Sequence, residues 1–180
     1  MNKTEQIIIA GFGGQGIMSM GQMLTYAGMM EGKEVSWLPS YGPEMRGGTA
    51  YCNIVISDSP VASPIVTSAS AVIVMNKSSL IKFESKLEEG GNLFVNSSLI
   101  DIKSTRNDIN DYYISANEMA NQIGNSRIAN MILLGAYIEK SKIVSVDSVL
   151  EAMVKVLGEN KRKLVPINKE ALLAGASCVK

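Results

Sequence analysis

The chain has 180 residues, 46% of them hydrophobic, which is enough for one domain with a real core. Its 17 basic and 17 acidic residues cancel, which argues against a general nucleic-acid binder. Histidine is absent, which removes Ser-His-Asp and Cys-His chemistry and imidazole zinc sites, and the two cysteines cannot supply the four thiolates of an iron–sulfur cluster.

The N-terminal MNKTEQ lacks the apolar core of a signal peptide, and no apolar run is long enough to span a bilayer, so a cytoplasmic protein is expected. Ile7–Ile9 is a β-branched apolar run and reads as a buried strand. Gly11, Gly13 and Gly16 follow at G-x-G-x-x-G spacing, with Gly14 and Gln15 between them. Gly16–Met30 reads as a buried helix ending near Gly32. Met18, Met20, Met23, Met29 and Met30 either fill the core there or form a pliable partner surface.

Glu34–Leu38 reads as the second strand and Thr49–Ser57 as the third. The connector between them, Pro39–Gly48, is too short for a parallel crossover and carries two prolines, so these strands should be antiparallel. The first two strands are expected to form a parallel pair. Ser57–Pro64 is a turn. Ala71–Met75 reads as a central strand, followed by a helix to about Leu87 capped by Ser78 or Ser79. Gly90-Gly91 turns the chain into a strand over Asn92–Asn96. The polar stretch Ser97 to Asp111 loops at the surface, Tyr112–Ser115 is a last strand, and Asn117 caps the next helix.

Arg127–Lys140 is apolar nearly all round, apart from Asn130, and reads as a buried helix. Val146–Leu157 is an amphipathic surface helix, and a final helix starts at Pro166. The basic run Lys161–Lys163 reads as a solvated face, with a docking patch as the other reading. No linker or repeat divides the chain, so one domain over 1–180 is expected. The fold class is α/β: a Rossmann-like three-layer sandwich with a mostly parallel, mixed sheet and helices on both faces.

Two stretches carry chemistry. A strand, a glycine turn and a helix N-terminus present outward N–H groups to an anion, and glycine lets a phosphate approach the backbone. Gly11, Gly13, Gly14, Gln15 and Gly16 are therefore candidate ligand contacts; the alternative is a tight turn without a ligand. An NAD site would need an acidic residue where the second strand ends, but Trp37-Leu38-Pro39-Ser40 stand there. The second stretch, Pro39–Thr49, should emerge over the same crevice. Its one cation is Arg46, whose guanidinium can fork onto phosphate or carboxylate, with Ser40, Tyr41 and Gly47 beside it. Glu44 could instead brace Arg46 within the loop. Asn76 is either a ligand contact or a helix cap. No catalytic acid or base and no metal ligand is assigned.

GFGGQG, EGKEVSWLPSYGPEMRGGTA, SDSPVASP, VMNKSSLIKF, FVNSSLI, RIANMILLGA and LVPIN together resemble the gamma subunit of 2-oxoacid:ferredoxin oxidoreductases, over nearly the whole chain. The SYGPEMRGG wording is closer to the 2-oxoglutarate and branched-chain 2-oxoacid enzymes than to the pyruvate ones. The resemblance implies a subunit that is inactive alone. It implies alpha, beta and ferredoxin-like delta partners holding thiamine diphosphate and the iron–sulfur clusters, with ferredoxin as the acceptor of the complex. It places coenzyme A near the glycine turn and Arg46. A free-standing nucleotide-binding or sensory domain on the same fold is the rival reading.

Overall fold

Ile7, Ile8 and Ile9 sit at the middle of the first strand, β1 (Thr4–Phe12), where both faces of the sheet are covered and every side chain is buried. The computed structural model describes residues 3–40 and 49–180. After β1 come α1 (Ile17–Met30), β2 (Glu34–Ser40), β3 (Thr49–Ser57), β4 (Ala69–Val74) and α2 (Lys77–Phe83). Then follow β5 (Leu87–Asn96), β6 (Asn110–Ile114), α3 (Ala116–Ile123), α4 (Ala129–Ser141), α5 (Val146–Leu157) and α6 (Val165–Ser177). Among the described residues no helix is long and apolar enough to cross a membrane.

The six strands form one sheet in the order β2-β3-β1-β4-β5-β6. β1, β4, β5 and β6 are parallel, while β3 runs antiparallel to both β1 and β2. The sheet is thus mixed and mostly parallel, as the short connector required. The expected pairing of the first two strands does not form, because β3 lies between them. The reason is burial. β3 carries Cys52, Ile54 and Ile56 on one face and Val55 on the other, all buried, so it belongs inside the sheet. β2 has exposed Glu34 and Leu38 and contains Pro39, which suits an edge.

Helices cover both faces, unequally. α1, α3, α4, α5 and α6 pack over Ile7, Ile9, Ile54, Ile73 and Phe94. Among the described helices only α2 covers the other face, where Leu80 and Phe83 meet Val72, Val74, Leu93 and Val95. Of the α1 methionines, Met20 and Met23 are core, Met18 and Met30 are half-buried, and Met29 is exposed. α4 and α6 cross in backbone contact: a Cβ on Gly175 would stand 1.7 Å from the Ile132 carbonyl oxygen, and one on Gly135 2.0 Å from that of Leu172.

Several local expectations need correction. Gly90-Gly91 lies inside β5 rather than before it. Ala69 pairs with Leu87 but Ala71 pairs with Asn92, so the extra β5 residues bulge, with Gly90 at φ 75°. The cap of α2 is Asn76, whose Oδ1 accepts from Ser79 N at 2.8 Å, not Ser78 or Ser79. Asn117 does not cap α3, which begins after Ser115. Its Oδ1 accepts from Asn96 Nδ2 at 2.8 Å instead. The stretch expected as one helix from Arg127 opens with a 3-10 turn, Ser126–Ile128, because the Asn125 side chain accepts from Arg127 N and tightens it.

Candidate functional site

The glycine turn leaves β1 at the carboxyl edge of the parallel strands. Gly11 is still in β1 and must be small: a Cβ there would lie 2.6 Å from Gln15 Oε1 and 2.9 Å from Met75 Cβ. Gly14 (φ 90°) and Gly16 (φ 76°) hold the left-handed backbone that glycine adopts freely. Gln15 is a strut across the turn. Its Oε1 accepts from Phe12 N at 2.6 Å and its Nε2 donates to the Met75 carbonyl at 3.2 Å, tying β1 to the end of β4. Gly16 occupies the N-cap position of α1 with no side-chain cap, so the first N–H groups of that helix face outward.

A second helix start faces the first. Asn130, buried at the head of α4, accepts from Met131 N at 2.9 Å and donates from Nδ2 to the Gly16 carbonyl at 3.5 Å. Between the two starts lies a cavity of about 260 Å³, lined by Gly14, Gln15 and Gly16 on one side and Arg127, Ala129 and Asn130 on the other. Neither α1 nor α4 has an acidic residue in its first turn, and among the described residues no carboxylate lines the cavity. Arg127 is exposed and makes no ion pair among the described residues. Two helix N-termini and one guanidinium therefore impose a positive field on a small space, the arrangement that binds phosphate or carboxylate.

That lining holds no group suited to proton transfer, since arginine, its one titratable side chain, does not give up its proton. Cys52 lies beneath α1, and burial pushes its thiol up to about 12 despite the Trp37 indole beside it. It is a core residue rather than a nucleophile.

The structure brings Gly14, Gln15 and Gly16 together in this cavity, and places Gly13 in an adjoining groove with Phe12 and Met18. Ser40 ends edge strand β2, one strand removed from β1, and Asn76 is 2% exposed as the cap of α2; neither lines the cavity. Tyr41, Arg46 and Gly47, with Glu44, lie outside the described residues. Phe12 pairs with Thr49, the first residue of β3, at the glycine turn's edge of the sheet. Sequence reasoning missed Arg127 and Asn130 as site residues. The available signal was two polar side chains at the head of an otherwise apolar helix.

The sequence signature of the family described as pyruvate ferredoxin/flavodoxin oxidoreductase matches residues 6–178. A ketoisovalerate oxidoreductase subunit VorA from Methanothermobacter marburgensis is 35% identical over 171 residues, which are 95% of this chain but 36% of that protein. The chain thus spans about a third of the ketoisovalerate subunit it matches. A 2-oxoglutarate synthase subunit KorC from Methanocaldococcus jannaschii is 31% identical and aligns over 92% of this chain and 91% of its own length. In three dimensions the chain is similar to a keto/oxoacid ferredoxin oxidoreductase gamma subunit from Geobacter sulfurreducens. The TM-score is 0.82 at 26% identity, over 97% of this chain and 98% of the other.

Proposed function

The chain belongs to the pyruvate ferredoxin/flavodoxin oxidoreductase family, and from that premise we propose that it is the gamma-type subunit of a multisubunit 2-oxoacid:ferredoxin oxidoreductase, of the 2-oxoglutarate or branched-chain kind. The match with a 2-oxoglutarate synthase subunit over 91% of that protein's length supports the gamma-type reading. The complex oxidatively decarboxylates a 2-oxoacid in the cytoplasm, forms the acyl-CoA and passes electrons to ferredoxin. Thiamine diphosphate and the iron–sulfur clusters belong to the alpha, beta and ferredoxin-like delta partners. This chain's residues do not fit a cluster: Cys52 is buried in β3 and Cys178 follows α6.

The chain's own contribution is a phosphate seat for coenzyme A. The observation that carries this role is the convergence of the α1 and α4 N-termini with Arg127 on a cavity free of carboxylates among the described residues. The backbone N–H groups at the start of α1 orient the phosphate, Arg127 supplies charge from the cavity wall, and Arg46 is a second cation for the same anion.

Kinetics of the assembled complex test the reading. Arg127→Ala and Arg46→Ala should each raise KM for coenzyme A about 10- to 100-fold, the worth of one charge-assisted hydrogen bond, with KM for the 2-oxoacid unchanged. Arg46→Lys should recover only part of the loss, because an ammonium lacks the planar fork. Unchanged coenzyme A kinetics with lost assembly would assign both arginines to structure instead. Turnover by this chain alone would refute the subunit role.

A further inference from the structure

Beside the glycine-turn cavity, and sharing Gly16, Arg127 and Asn130 with it, a second cleft of about 500 Å³ opens between α1, α4, α5 and the 3-10 segment Glu159–Leu164. Its floor is apolar and rich in thioethers: Met23, Met131 and Met153 are buried there, with Leu157 partly exposed at the edge. Its rim carries Arg127, Lys161 and Lys163, all exposed, and no carboxylate lines it among the described residues. Arg162, between the two lysines, is paired with Glu159 and does not line the cleft. The basic run is therefore split: its middle charge is neutralised in place, and its outer two are free of ion pairs among the described residues and stand at one opening.

We propose that this cleft receives an acidic segment of a partner subunit, whose carboxylates meet Lys161 and Lys163 while an apolar side chain between them rests on the methionine floor. Charge complementarity selects the occupant. Three cations on two elements, Arg127 in the turn before α4 and both lysines on the Glu159–Leu164 segment, rim an apolar floor. The two lysines are mobile point charges on long stems, which suit carboxylates spaced along a chain. Unbranched methionines adapt their shape to an inserted side chain. A compact phosphate is better served next door, where backbone N–H groups converge. The proposal rests on the chain being one subunit of a larger assembly.

The test is assembly of the purified chain with its co-expressed partner subunits, for wild type, Lys161→Glu, Lys163→Glu and the double variant. Lys155→Glu, outside the cleft, is the matched charge control. The double variant should weaken assembly about 10- to 100-fold at low salt, with the difference shrinking near 0.5 M salt, and Lys155→Glu should stay within about twofold. Circular dichroism and melting temperature confirm that the variants are folded. In a complex carrying Leu157→p-benzoylphenylalanine, photocrosslinking should capture an Asp/Glu-rich peptide of a partner subunit. Wild-type assembly by the double variant without such a crosslink overturns the cleft's role while leaving the subunit reading intact. A raised KM for coenzyme A with unaltered assembly also overturns it, in favour of a small anionic ligand. Failure of the wild-type chain to assemble overturns the subunit reading and this inference with it.

Discussion

Replacing Gly16 by alanine adds one methyl group with two separable costs. The first is conformational: φ is 76°, and an L-residue there costs about 1–2 kcal/mol. The second is local crowding, since the new Cβ would stand 2.5 Å from Asn130 Nδ2. Asn130 is buried, so its amide must rotate off the Gly16 carbonyl, losing a hydrogen bond of about 0.5–1.5 kcal/mol and leaving its rotamer at a similar cost. The total is about 2–5 kcal/mol. Gly14 provides the comparison. Its φ is 90°, but nothing lies within 4 Å of an added Cβ, so Gly14→Ala should cost only the conformational part, about 1–2 kcal/mol. Urea unfolding of the purified chain gives both values. In an Asn130→Ala background the excess of Gly16→Ala over Gly14→Ala should vanish. Equal costs for the two glycines in the wild-type background, within about 0.5 kcal/mol, would refute the coupling of α1 to α4 through Asn130.

Gly175→Ala drives a Cβ to 1.7 Å from the Ile132 carbonyl oxygen, so α4 and α6 must part. The expected loss is about 4 kcal/mol or more, read as a melting temperature about 8–16 °C lower; an unchanged melting temperature would refute the backbone contact. Burial raises the thiol pKa of both cysteines, but only Cys178 is exposed. Alkylation of the native chain at mildly alkaline pH should label Cys178 slowly and Cys52 only after denaturation, as peptide mass spectrometry would read. Partial burial opposes ionisation of Glu31 and Glu84, but hydrogen bonds from Ser145 and Ser148 to the one, and from Ser104 and Thr105 to the other, outweigh it. Both pKa values lie below the ordinary 4.5. The unfolded chain therefore takes up these protons first. The stability they contribute is present above the ordinary carboxyl pKa and is lost as pH falls through the folded values. Glu31→Gln and Glu84→Gln should flatten the fall in unfolding free energy between about pH 5 and 3; an unchanged slope would show that these carboxylates do not carry it.

Local grammar was legible from short-range signals. Ile7–Ile9 followed by spaced glycines means strand, turn and helix, because each signal acts within a few residues. The extent of β3, Thr49–Ser57, and of α5, Val146–Leu157, was legible from apolar patterning. The antiparallel run of β2 and β3 followed from a connector too short to cross over. Strand order was not legible, because neighbours in a sheet are chosen by competition for burial across the whole fold. The apolar β3 takes the inner place and leaves Pro39 on the edge strand. Nor could local signals show that Asn130, 114 residues beyond Gly16, would meet its carbonyl. That contact exists because α4, apolar on nearly every side, is drawn between the sheet and α6, where Gly135 and Gly175 permit backbone contact. Only this tertiary packing sets Asn130 and Arg127 beside the glycine turn.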